Sequence, residues 1–164
     1  MLLSRNATRM AMTQAVGLGV YLVVKFYLSL SVYTSFFALL MTFFVPLFVL
    51  RLQKRARAVV EEDSQMTYWL AFRYGVALFF YATVLLAFGQ FVYFKFINPS
   101  YLHEIYAETM TVLESYVTPE MMAELTENGG FSAMQMLFSS LVLNSFCGVL
   151  IALFTSAFVV AGRR

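Results

Sequence analysis

Charge is what this sequence most lacks. Only 12% of its 164 residues are Asp, Glu, Lys or Arg, and 61% are hydrophobic, whereas water-soluble domains carry about 25% charge. So little charge does not suit a surface facing water. Cysteine is nearly absent as well. Cys147 alone excludes an internal disulfide and any cysteine-rich metal site, and its place in an apolar run suits a small buried hydrophobe. The one histidine, His103, stands beside Glu104 with no second ligand at a diagnostic spacing, so no metal and no cofactor is expected. There is no glycine-rich phosphate loop. Ser139-Ser140 has no histidine or acid nearby to activate a nucleophile. No acidic residue falls within a predicted span, which removes the usual proton relay, and no enzymatic activity is expected. A net charge of +2 is too small to point to nucleic acid.

What the chain does have is apolar length. One domain fits the chain, and within it four stretches reach the roughly 20 apolar residues that cross a bilayer as helix. They run from about Met10 to Leu28, Val32 to Leu50, Tyr74 to Phe94 and Phe131 to Ala161. The fourth is longer than the bilayer needs and can tilt. The first is preceded by Arg5 and Arg9 but is too long for a signal core, so it is expected to be retained. The fold class predicted is an all-α membrane protein, a four-helix bundle.

Two longer connections separate these spans. The segment 51–73 begins basic, turns acidic at Glu61-Glu62-Asp63 and offers Ser64 as a cap for the helix leading into the third span. The segment 95–130 holds six of the nine acidic residues. Lys and Arg distribute unevenly: Arg5, Arg9, Arg51, Lys54, Arg55, Arg57, Arg73, Arg163 and Arg164 all fall on one side of a four-span arrangement. The positive-inside rule makes that side cytoplasmic, with both termini there, in a bacterial inner membrane. On the opposite side, Asn98-Pro99 reads as a helix start. Tyr101, Leu102, Ile105, Val112, Leu113 and Tyr116 then share one helical face. Thr118-Pro119-Glu120 repeats the start signal and Asn128-Gly129-Gly130 ends it. Two short amphipathic helices are expected there, capping the bundle or lying in the interface.

Helices in lipid associate through small residues and hydrogen bonds, since the tails are as apolar as leucine. Each span offers small residues at four-residue spacing: Ala7, Ala11, Ala15 and Gly19; Thr34, Ala38, Thr42 and Pro46; Ala71 and Gly75, with Ala82 beyond; and Ser140, Asn144, Gly148, Ala152 and Ser156. Pro46 predicts a kink. Asn144 falls on the packed face, where an interhelical hydrogen bond is the ordinary reading and a binding role the sharper one.

Lys25 is the one formal charge inside a predicted span. It either snorkels to the nearby interface or meets a buried partner such as a glutamate of the 95–130 segment. Lys95 ends the third span on the same side and could share a basic patch with it. Gln90 and Tyr93, one turn below, need partners at membrane depth. The cluster Arg51, Lys54, Arg55 and Arg57 orients the protein and touches anionic headgroups, or docks a protein partner. Arg73 meets lipid phosphate at the same interface.

The string Gly89-Gln90-Phe91-Val92-Tyr93-Phe94-Lys95-Phe96-Ile97-Asn98-Pro99-Ser100-Tyr101-Leu102 resembles the inner-membrane proteins of Bacteroidota grouped as domain-of-unknown-function family four-one-nine-nine. Tyr93, Lys95, Ile97, Pro99 and Tyr101 carry the likeness, and the order of elements agrees over nearly the whole chain. The resemblance implies a Gram-negative cytoplasmic membrane and no activity, and it suggests a polyprenyl-phosphate glycosyltransferase as a partner. The leading expectation is therefore a non-enzymatic accessory subunit of a membrane assembly, bound to another membrane protein or to its own copies. The alternative is a lipid- or small-solute-binding protein whose Lys25, Gln90, Lys95 and Asn144 line a polar pocket near the outer leaflet.

Overall fold

The structure is a computed structural model that describes residues 5–60, 67–113, 116, 118 and 133–161. It contains α1 (Arg5–Ser29), α2 (Val32–Val60), α3 (Tyr68–Val92), a π-helical turn (Tyr93–Ile97), α4 (Tyr101–Leu113) and α5 (Ala133–Ala161), with no strand among the described residues. The all-α class is therefore as expected. Four helices (α1, α2, α3 with its π-helical extension, and α5) are long and apolar enough to cross a membrane. "Basic end" below means the end bearing Arg5, Arg9, Arg51 and Arg73; the far end bears Ser29, Lys95 and α4.

Local chemistry sets the boundaries. At the far end α1 and α2 are joined by the turn at Leu30-Ser31, where the Thr34 hydroxyl donates to the last-turn carbonyl of Leu28 at 2.6 Å. The start of α3 is capped by Thr67, whose side chain accepts from Leu70 N–H at 3.4 Å, satisfying a donor that a helix start otherwise leaves open. Ser64, the expected cap, lies outside the described residues. Helix α2 runs uninterrupted through Pro46 to Val60. The basic string expected to open a loop at Arg51 is thus helix, and its 3.6-residue period decides which of its side chains turn inward. Helix α4 starts at Tyr101, after a Pro99-Ser100 turn, and buries Leu102, while Val112 is exposed. The second short helix expected near Thr118–Asn128 lies almost entirely outside the described residues.

The central helix is α3. It runs parallel to α1 at a constant offset: Gly19 meets Leu85, Val23 meets Gly89, and the Tyr27 and Tyr93 rings touch. It runs antiparallel to α5, with Gly75 against Ala152, Phe79 against Gly148 and Thr83 beside Ser145. Helix α2 lies against α1, where the Tyr21 hydroxyl donates to the Met41 carbonyl at 2.8 Å and its ring stacks on Phe48. The core fills the space between: Leu18, Leu22, Val45, Val49, Leu78, Phe79 and Leu86 form its middle, and Tyr93, Phe94 and Leu102 close the far end.

The small-residue seams divide. Ala7, Ala11, Ala15 and Gly19 are all buried, as are Ala71, Gly75 and Ala82. In α2 only Ala38 of the expected set is buried and Thr42 is exposed; the inward face is Ala38, Val45, Val49, Leu52 and Ala56. That face follows the α-helical period, whereas strict four-residue steps drift off it by about 40° each. In α5 Gly148, Ala152 and Ser156 are buried but Ser140 and Asn144 are only half-buried. Cys147, expected to be buried, is exposed.

Candidate functional site

Two polar groups of residues are built into this apolar bundle. The first sits at the basic end, where Gln53 of α2 is fully buried, at 0% exposure, along with Ser156. Its Nε2 donates to the Ala71 carbonyl of α3 and to the Ser156 Oγ of α5, each at 3.2 Å. A carbonyl only accepts, so the amide must present its nitrogen there. Oε1 is left buried with no partner. One side chain therefore ties three helices.

Gly75 makes the room: a Cβ there would stand 2.5 Å from Gln53 Nε2. One turn further along α2, the Arg57 guanidinium donates to the Val159 carbonyl at 2.7 Å, satisfying an acceptor in the last turn of α5 and favourable to its dipole. The Tyr74 hydroxyl of α3 donates to Gln14 of α1 at 2.9 Å, which brings the fourth helix into the same level. The Tyr68 hydroxyl donates to the Leu153 carbonyl at 3.1 Å.

The second group is at the far end. Gln90 is 8% exposed, its Oε1 is buried without a partner, and it makes no hydrogen bond among the described residues. Lys25 is half-buried and has no hydrogen bond or ion pair among them either. It stands seven residues beyond Leu18, which is fully buried in the core, so it leaves α1 at nearly the same azimuth.

Lys95, expected to share a basic patch with Lys25, stands in the π-helical turn. It is exposed, with its amine 5.4 Å from the centre of the Phe91 ring and 6.0 Å from that of Phe96, rings of its own helix and π-helical turn. Asn144 departs from the interhelical reading as well: its Nδ2 donates to the Ser140 carbonyl at 2.7 Å and to the Ser140 Oγ at 3.1 Å, both within α5.

Tyr93 is buried among Phe26, Tyr27, Phe94 and Tyr101 in edge-to-face contacts, an aromatic plug built on the π-helical turn in which Asn98 N–H reaches back to the Tyr93 carbonyl at 2.9 Å. Burial, then Tyr93, Glu108 and Glu104, push the phenol of Tyr101 above its ordinary range.

The basic cluster separates by helical phase. Arg51, Lys54 and Arg55 are exposed, as is Arg73, while Leu52, Gln53 and Ala56 are buried between them. Arg57 is committed to α5. Arg73 borders an open surface hollow of about 320 Å3 with Phe72, Val76 and Phe80. Among the described residues no three His, Cys, Asp or Glu side chains gather as metal ligands would.

Sequence reasoning missed Gln53, and the signal for it was present. The inward period Val45, Val49, Leu52 and Ala56 continues past Leu50, and Gln53 falls in phase with it. Reading the cluster as a loop by its charge concealed a buried amide.

A family model described as "Protein of unknown function (DUF4199)" matches residues 13–160. No curated protein and no solved structure matches.

Proposed function

Since the chain belongs to the DUF4199 family, whose description names no activity, we propose from this chain's own geometry that it is a non-enzymatic accessory subunit of an inner-membrane assembly. The reading places both termini in the cytoplasm, on the strength of the basic end and the positive-inside rule.

One observation carries it. Helix α5 is the least covered of the four long helices, with 11% of its most apolar stretch buried against 39% in α3. Yet its far-end half presents small and polar residues, Ser139, Ser140, Asn144 and Cys147, that are exposed or half-buried. Such residues serve packing against another helix better than contact with lipid. The exposed Arg51, Lys54 and Arg55 offer a second contact at the cytoplasmic surface.

Affinity purification of the natively expressed chain in a mild detergent, with oxidative cross-linking through Cys147, tests this. A stoichiometric membrane partner, or a Cys147-linked pair of this chain, is the expected result. Recovery of the monomer alone from native membranes, uncross-linked, refutes it.

A second reading, a lipid- or small-solute-binding protein with a polar site between the helices, is supported by Lys25 and Gln90, neither of which has a hydrogen-bond partner among the described residues.

A further inference from the structure

The level at which Lys25 and Gln90 stand is fixed by the α1–α3 seam. Val23 packs on Gly89 and the Tyr27 ring meets Tyr93, so Lys25 and Gln90 lie at one depth on neighbouring helices. Gln90 is seven residues beyond Thr83, almost the same azimuth on a helix of 3.6 residues per turn, and Thr83 faces Ser145 of α5. Gln90 therefore turns to the α5 side of α3, and Lys25, seven residues beyond the fully buried Leu18, leaves α1 on its core-facing side.

The two groups ask for different things. An ammonium in apolar surroundings requires an anion or strong acceptors. The buried Gln90 Oε1 is an acceptor, and requires an O–H or N–H donor. No hydrogen bond or ion pair among the described residues supplies either. At the far end the Phe26, Tyr93, Phe94 and Tyr101 rings pack together, an apolar layer on the side toward water. Approach from lipid is freer, because the hydrogen bonds between α2 and α5, Gln53 to Ser156 and Arg57 to Val159, are both at the basic end.

We propose that Lys25 and Gln90 form a binding site for the headgroup of an anionic phospholipid carrying a free hydroxyl, in the leaflet at the far end. Lys25 takes the phosphate and Gln90 Oε1 accepts from the hydroxyl, while the acyl chains run along the apolar faces of α2 and α5. The proposal rests on the second reading above and narrows it to one headgroup chemistry.

The full-length chain is purified in detergent and mixed with dioleoyl phosphatidylglycerol, phosphatidic acid or phosphatidylcholine, or with glycerol 3-phosphate, and bound species are counted by native mass spectrometry. Phosphatidylglycerol is expected to bind about tenfold better than phosphatidylcholine, a preference that Lys25→Met abolishes and Lys25→Arg largely keeps. Gln90→Leu is expected to weaken phosphatidylglycerol about fivefold and leave phosphatidic acid unchanged. Arg55→Gln, an exposed charge at the other end, changes neither.

Equal phosphatidylglycerol binding by wild type and Lys25→Met overturns the site. Glycerol 3-phosphate binding as well as the lipid overturns the lipid as its source. Lys25-dependent binding without headgroup preference overturns the proposed chemistry but leaves the second reading standing. Retention of no lipid and no solute by wild type ends both. Lys25→Arg guards against a Lys25→Met variant that simply fails to fold.

Discussion

A single methyl group at Gly148 tests whether the α3–α5 seam holds the bundle. A Cβ there would lie 2.5 Å from Cγ and 2.6 Å from Cβ of Phe79, whereas carbon atoms in good contact sit about 3.5–4.0 Å apart. Because Phe79 Cβ does not move when its side chain changes rotamer, the helix backbones must separate by about 1 Å. Phe79 is 4% exposed and wedged in the central core with Leu78 and Leu86, so that separation is not free. Overpacking of this kind costs about 1–3 kcal/mol. Alanine returns up to about 1 kcal/mol over glycine inside a helix. The expected net loss is about 0–3 kcal/mol, the difference between those two ranges, and the gap from a variant that has only the propensity gain is about 1–3 kcal/mol.

Gly17→Ala is the control, because its added Cβ meets nothing within 4 Å and only the propensity gain remains. Unfolding followed by circular dichroism in mixed micelles, titrated with sodium dodecyl sulfate, gives both variants on one scale. Gly148→Ala is expected to unfold at a lower dodecyl sulfate fraction than wild type, and Gly17→Ala at the same or a higher one. If the two variants coincide, the close approach of Phe79 to α5 is wrong.

Three further outcomes are expected. Gln53→Ala loses two hydrogen bonds and leaves a void beside Gly75, costing about 2–3 kcal/mol; in that background Gly75→Ala costs less than it does in wild type, with a coupling of about 0.5–3 kcal/mol measured by a double-mutant cycle. Strict additivity of the two would show that Gln53 does not occupy the space over Gly75. Arg57→Gln weakens the end of α5 by about 1 kcal/mol, visible as faster amide exchange in its last turn with exchange at the α1–α3 seam unchanged; equal loss everywhere would mean that Arg57 acts on global stability and not on that turn. With Cys147→Ala as background, a maleimide that cannot cross the membrane labels Ser100→Cys in whole spheroplasts and Lys54→Cys only after lysis, and the reverse pattern rejects the proposed orientation.

The sequence alone determined how many long helices form and how the charge is shared between the two ends. Those properties add up locally: a run of about 20 apolar residues has no way other than helix to satisfy its backbone in lipid, and each Lys or Arg counts toward orientation wherever it points. The fully buried seam of α1 was legible for the same reason, since Ala7, Ala11, Ala15 and Gly19 leave a face on which nothing bulky competes. Azimuth was not legible where charge or polarity masked it. Whether Gln53 faces water or three helices, and whether Asn144 bonds across a seam or along its own helix, depends on helix rotation and on where α2 and α5 come together. Only the tertiary structure decides those, because each is fixed by contacts with residues remote in the chain: Ser156 lies 103 residues from Gln53, and the room for Gln53 exists because residue 75 has no side chain. The same reason explains why Lys25 and Lys95, alike in sequence as lysines near the far end, have different surroundings, one half-buried without a hydrogen-bond partner among the described residues and the other exposed beside the rings of Phe91 and Phe96.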